Sequence, residues 1–244
     1  RYFPGNWIND DYHLNSIVGY AVVASIFYSA VYFMGLPSVQ YFGLPKLRLR
    51  AVIAIIMCFT GPVLQISEQG LKYKSWLDLV SGIAFLLMLG FGEEMLSRGF
   101  TFGVLLRFGR FKALVISSFL FGLLHINVYI PGHLGWDTYH HVFSTFGMGM
   151  ILCALMMVTR SIWISVLFHA MMDWHIPFTA SDTSGGDSVH YSLWENLSGP
   201  MSGLLFDCVI VLVLLAIDAV RITPARWMQR LAVRWKLVEP VSVT

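Results

Sequence analysis

The sequence predicts an all-α, polytopic transmembrane helical bundle of about seven spans, followed by a C-terminal amphipathic helix at the membrane surface. Three observations lead there. Of 244 residues, 57% are hydrophobic and only 12% charged. The mean hydropathy is +0.67. The apolar residues also come in runs close to the ~20 residues that a helix needs to cross a bilayer. A soluble domain of ordinary composition is neither this apolar nor this poor in charge, so residues 1–244 read as one integral-membrane domain.

The net charge of +2 is near neutral, and the basic residues sit in short loops and the tail. That arrangement speaks to topology and gives no sign of nucleic acid as a partner. Cys58, Cys153 and Cys208 fall inside apolar runs without paired spacing, so they read as small core residues and not as a disulfide framework or a thiolate metal site. The chain begins at Arg1 and not at Met, which suggests a missing or processed N-terminus and leaves room for a span upstream.

Residues 1–15 are polar and aromatic, a composition suited to the membrane interface. The first span is expected at about 16–36, and a loop carrying Lys46, Arg48 and Arg50 leads to a second at about 51–66, with a kink at Pro62. Ser75 is the expected N-cap of the third helix, about 76–106. A fourth span, about 113–130, ends at the turn signal Pro131-Gly132. The fifth (142–158), sixth (162–180) and seventh (203–220) follow, with 181–202 as the longest loop. Thr223-Pro224 opens the amphipathic helix of about 224–237, in which Arg226, Arg230 and Arg234 oppose Trp227, Leu231 and Trp235.

Placing the C-terminus in the cytoplasm puts 12 of the 16 basic residues on the cytoplasmic side, as the positive-inside rule demands. Lys72 and Lys74 break the pattern and point to an interfacial or re-entrant segment near 68–78.

The third span contains Glu93-Glu94-Met95-Leu96-Ser97-Arg98. Charges at that depth cost several kcal/mol unless they are paired or functional. Glu94 and Arg98 are four apart and lie on one helix face, whereas Glu93 projects about 100° away. The spacing therefore gives Arg98 to Glu94 and leaves Glu93 for chemistry, the alternative being that all three form a structural cluster locking the helix to its neighbours.

Glu93 lies 13 residues before the end of its span, His125 lies 13 after Lys112, and Asp173 lies 13 after Arg160. All three thus sit about 20 Å from one membrane surface. His169 lies a turn from Asp173 on the same face. Each has a plainer reading: His125 as a hydrogen-bonding core residue, His169 and Asp173 as a pair satisfying each other within their helix. His140 and His141 are expected to border a solvated loop, His175 to be interfacial, Asp207 and Asp218 to lie near head groups, and the methionines of the fifth span to be packing.

Glu93-Glu94-x-x-x-Arg98, Phe121-x-x-x-His125 and His169-x-x-x-Asp173, in this order and each on an expected membrane helix, resemble the CPBP family, the CAAX proteases and bacteriocin-processing enzymes also called the Abi family. The resemblance covers about 79–175. It implies an intramembrane glutamate endopeptidase that activates water through a glutamate and a histidine, with no metal or other cofactor. By position, Glu93 matches the catalytic glutamate, Glu94 and Arg98 the supporting pair, and His125 the second water-activating residue. His169 and Asp173 match the pair that stabilises the oxyanion. The best-studied prenyl-protein members have Asn at the last position; a carboxylate donates only when protonated, so Asp173 is expected to orient His169. The departure bears on the substrate more than on the reaction class.

The implied partners are the lipid bilayer and a peptide or membrane-protein substrate that is prenylated, bacteriocin-like or membrane-anchored. The implied location is the plasma (inner) membrane, or the endoplasmic reticulum of a eukaryote, with any partner subunit unspecified. The motifs of other membrane proteases, His-Glu-x-x-His, Gly-x-Ser-Gly and Gly-x-Gly-Asp, are absent from the sequence. Two rivals keep the same residues: a metal-dependent hydrolase ligated by Glu93, His125 and His169, and a non-catalytic immunity or scaffold protein. A proton-coupled transporter ranks below both, since no inverted repeat is evident.

Overall fold

Residues 10–126, 136–178 and 193–219 are described by a computed structural model, and among them every regular element is helical. Helix α1 (Asp10–Phe33) leads through a 3-10 turn (Pro37–Tyr41) to α2 (Leu49–Gln69). Helix α3 (Trp76–Glu94) passes without a break into a π-helical turn (Met95–Thr101), the single turn α4 (Phe102–Leu105) and a 3-10 turn (Leu106–Phe108). Then come α5 (Arg110–Leu124), α6 (Trp136–Thr159), α7 (Ile162–Met172), the short α8 (His175–Phe178) and α9 (Leu193–Ala219).

Five stretches are long and apolar enough to cross a membrane: Leu14–Phe33, Leu49–Gln69, Trp76–Phe108, Thr138–Thr159 and Leu197–Ala219. This is an integral membrane protein. The expected fourth and sixth spans are shorter helices than the runs suggested, since α5 has 15 residues and α7 has 11, fewer than the ~20 a full crossing needs. Helix α5 stops at His125, and α7 stops at Asp173, two residues ahead of α8. The seventh helix corrects the expected loop of 181–202: α9 begins at Leu193 and runs through Pro200. Helix α6 likewise starts at Trp136, so His140 and His141 belong to a helix and not to a loop border. The amphipathic helix expected at about 224–237 lies outside the described residues.

Helix α6 is the centre of the bundle. Every side chain from Met150 to Val158 is buried, and 72% of its spanning window is buried against 11% of the windows in α1 and α9. The outer helices therefore turn most of their apolar surface to lipid. The methionines of α6 are core: Met150, Met156 and Met157 are all buried.

The expected cap at Ser75 is present. Its hydroxyl accepts from the Asp78 N–H at 3.1 Å, which satisfies one of the helix's otherwise unpaired donors, while the Asp78 carboxylate accepts from the Lys74 N–H just ahead of the cap at 2.9 Å. At the opposite end of the bundle the connections are stitched together. The Lys46 N–H donates to the Thr159 carbonyl at 3.1 Å, Ser161 Oγ to Gly43 at 2.8 Å, and Trp163 Nε1 to Phe42 at 2.9 Å. Asp218, at the end of α9, receives Arg110 at 3.1 Å, Arg160 at 3.4 Å and Arg50 at 3.7 Å. It is an ion-pair hub with 8% of its side chain exposed. Asp207 is corrected too: it lies midway along α9, its carboxylate so close to Gly147 that an added Cβ there would clash with it.

Candidate active site

The site begins with a close approach of two helices. A Cβ on Gly90 would lie 3.0 Å from the Val166 carbonyl oxygen and 3.5 Å from His169 Cβ, so the glycine lets α3 and α7 pack nearly backbone to backbone. The acids one turn further along α3 therefore meet the histidine of α7.

Glu94 and Arg98 are fully sealed, with 0% of either side chain exposed. Arg98 Nη1 donates to Glu94 Oε1 at 3.0 Å and Nη2 to the Gly149 carbonyl at 2.9 Å, and its guanidinium carbon lies 4.4 Å from the centre of the Phe121 ring. Three helices thus hold one cation. The π-helical turn that contains Arg98 widens the helix where the pair forms, a local feature that often accompanies functional sites.

His169 joins this sealed layer to an open one. Its Nδ1 is 3.0 Å from Glu94 Oε1, while its Nε2 is 3.2 Å from Asp173 Oδ2 and 3.6 Å from Glu93 Oε2. A neutral imidazole donates through only one nitrogen, so the ring can donate to acids on both sides when it carries a proton on each. A ring flanked in this way is placed to donate.

Glu93, His125 and Asp173 form the open layer, with 24%, 25% and 23% of their side chains exposed. His125 Nδ1 lies 2.8 Å from the Phe121 carbonyl. A carbonyl only accepts, so Nδ1 carries the hydrogen and the neutral ring turns its Nε2 lone pair toward Glu93. Glu93 Oε2 is 3.9 Å from that nitrogen, too far for a direct hydrogen bond. Phe121 packs edge-on against both histidine rings, with centroids at 4.9 Å and 5.9 Å.

All six residues singled out in the sequence, Glu93, Glu94, Arg98, His125, His169 and Asp173, lie in one connected cluster. Three partners were not foreseen. The Gly149 carbonyl and the Phe121 ring hold Arg98; a backbone acceptor is not written in a motif, and Phe121, though part of one, carries no sign there that its ring faces Arg98. The His141 ring lies 5.2 Å from that of His125; an acid in the first turn at Trp136-Asp137-Thr138 was the available sign that a helix begins early enough to carry it there. Among the described residues, no group of three or more His, Cys, Asp or Glu side chains is arranged to hold a metal ion.

A helical membrane bundle that gathers three acids, two histidines and an arginine inside its core has the make-up of an intramembrane enzyme. Residues 75–175, which include the whole cluster, match the family described as type II CAAX prenyl endopeptidase Rce1-like. That match supports the CPBP, or CAAX protease, family for this stretch, and the family is one of proteases. No curated protein and no solved structure was found to match the chain.

Proposed function

We propose that the protein is a glutamate-type intramembrane endopeptidase in which Glu93 is the general base and His125 positions the attacking water. The supporting observation is the 3.9 Å gap between Glu93 Oε2 and His125 Nε2. One water at ordinary hydrogen-bond distances from both atoms spans that gap at an angle of about 90°, close to the directions of its own two hydrogens. The water thus offers one hydrogen to the carboxylate and one to the imidazole, and turns a lone pair to the substrate.

Glu93 takes a proton as the water oxygen bonds to the scissile carbonyl carbon. The same proton, passed to the amide nitrogen, lets the C–N bond break and restores the carboxylate. The oxyanion needs a donor, and His169 Nε2, held by Asp173 and directed to the same open layer, supplies it. Glu94 and Arg98 fix His169 from behind. The reaction needs no metal; the family match and the bilayer favour a peptide or membrane-protein tail as substrate, entering from the cytoplasmic side, where most basic loops are placed.

Comparative peptidomics of membranes holding the wild-type protein or Glu93→Gln tests this reading. Fragments made only by the wild type are expected, and their formation should withstand a strong chelator. Identical fragment sets sink the protease reading, while chelator-sensitive cleavage with a bound metal favours the metal-dependent hydrolase.

A further inference from the structure

We infer that the basic end of the bundle holds a binding site for the phosphate-bearing headgroup of an anionic phospholipid, distinct from the candidate active site. A cavity of about 260 Å³ opens there, lined by Gln40, Lys46, Arg48, Arg50, Val158 and Arg160. Beside it, sharing Arg160, lies a second cavity of about 300 Å³ walled largely by Phe111, Met157 and Leu215, with Arg110 and Asp218 at its edge. Among the described residues, Asp218 is the one carboxylate lining either space.

Charge makes the first cavity an anion site. Asp218 partly offsets Arg50, Arg110 and Arg160, but the Lys46 and Arg48 side chains have no carboxylate partner among the described residues. Four cations around one small space repel one another, and a bound anion removes that repulsion. The guanidinium forks suit phosphate oxygens, and Lys46 adds a point charge.

Apolar surface identifies the anion's source as lipid. Along 44–50, leucines alternate with the cations, and Leu44, Leu47 and Leu49 are 84%, 67% and 58% exposed. Phe111, at the second cavity, is 62% exposed. A free phosphate has no use for these walls, whereas a phospholipid lays its head on the arginines and its glycerol and first methylenes on Phe111, Met157 and Leu215. Basic pockets at the ends of membrane helices bind anionic headgroups by this division of labour.

Native mass spectrometry of the full chain in a neutral detergent, with added phosphatidylglycerol or phosphatidylcholine, tests the site. Phosphatidylglycerol should stay bound under collisional activation that strips phosphatidylcholine. Each basic residue near an anionic headgroup contributes roughly fivefold in affinity, so Lys46→Gln/Arg48→Gln should weaken retention about 30-fold. Lys72→Gln/Lys74→Gln, at the other end of the bundle, should leave it unchanged. Equal retention of the two lipids by the wild type overturns the proposal without recourse to any variant. So does an equal loss in both double variants, or displacement of the lipid by inorganic phosphate at the same concentration, which marks a site for the free anion.

Discussion

At Asp218 one carboxylate is shared by three arginines, whereas around Arg98 one guanidinium stands among three carboxylates and two imidazoles. Both clusters join several helices, but each carries a surplus of opposite sign. At the end of the bundle the surplus is cationic and faces the interface, where water and headgroups solvate it. In the core the surplus is acidic and partly enclosed, which is costly and leaves two carboxylates with no arginine: Asp173, which has His169 Nε2 at 3.2 Å, and Glu93, whose nearest ring nitrogens lie at 3.6 Å and 3.9 Å. A structural ion pair closes on itself; a reactive site retains a group whose needs are not fully met.

The largest effect is expected where that unmet group is removed. Glu93→Gln keeps the shape and deletes the base, so turnover should fall by about 10²- to 10⁴-fold while the thermal midpoint in detergent barely moves. A large drop in the midpoint with intact turnover would reverse the comparison and make Glu93 the structural acid. Breaking the sealed pair should do the opposite. Arg98→Met strands Glu94 in a layer with no exposure, and losing one partner of a buried pair costs about 3–5 kcal/mol. Glu94 keeps His169 Nδ1 at 3.0 Å from Oε1, but its Oε2 has no partner among the described residues. Thermal unfolding should report a protein destabilised throughout, with activity lost as a consequence.

How far these clusters could be read from the sequence follows from the physics of each. The core cluster was legible because charge is rare in an apolar run and helical spacing is rigid: Glu94 and Arg98 four apart, His125 and Asp173 each 13 from a basic residue, and Glu93 13 from the end of its span, fix a common layer with no tertiary information. The sealed role of His169 was not legible, since Gly90 sets how near α7 comes to α3, and a glycine in a membrane helix has many other uses. Helix ends were also misread. Hydropathy continues past His125 and Asp173, but it does not register where the helices stop, and both residues sit at those stops. The Asp218 hub was hidden for another reason: its three arginines are 168, 108 and 58 residues away, and surface charges near a helix end carry no spacing rule that pairs them.

Asp218→Asn should have a smaller effect than either change in the core. Its three partners are 17%, 44% and 31% exposed, so water screens what each pair contributes, and a loss of about 1–2 kcal/mol is expected from a charged acceptor with several donors. Turnover per folded molecule should not change. If it does, the hub reaches the active site through α6 and the two clusters are coupled, which a double variant with Glu93→Gln cannot show but one with Asp173→Asn can.

The smallest effect is expected at Asp173 itself, and it separates two kinds of acid within one site. In Asp173→Asn, the side-chain carbonyl still accepts from His169 Nε2, so the ring keeps its aim, and the new amide adds a donor toward the open layer. If orientation is all that Asp173 provides, turnover should stay within about tenfold of wild type, with KM unchanged, whereas Asp173→Ala removes the acceptor and should lose substantially more. If the Asn variant is as inactive as Glu93→Gln, the second carboxylate moves a proton itself. The reacting acids of the core would then be two residues and not one.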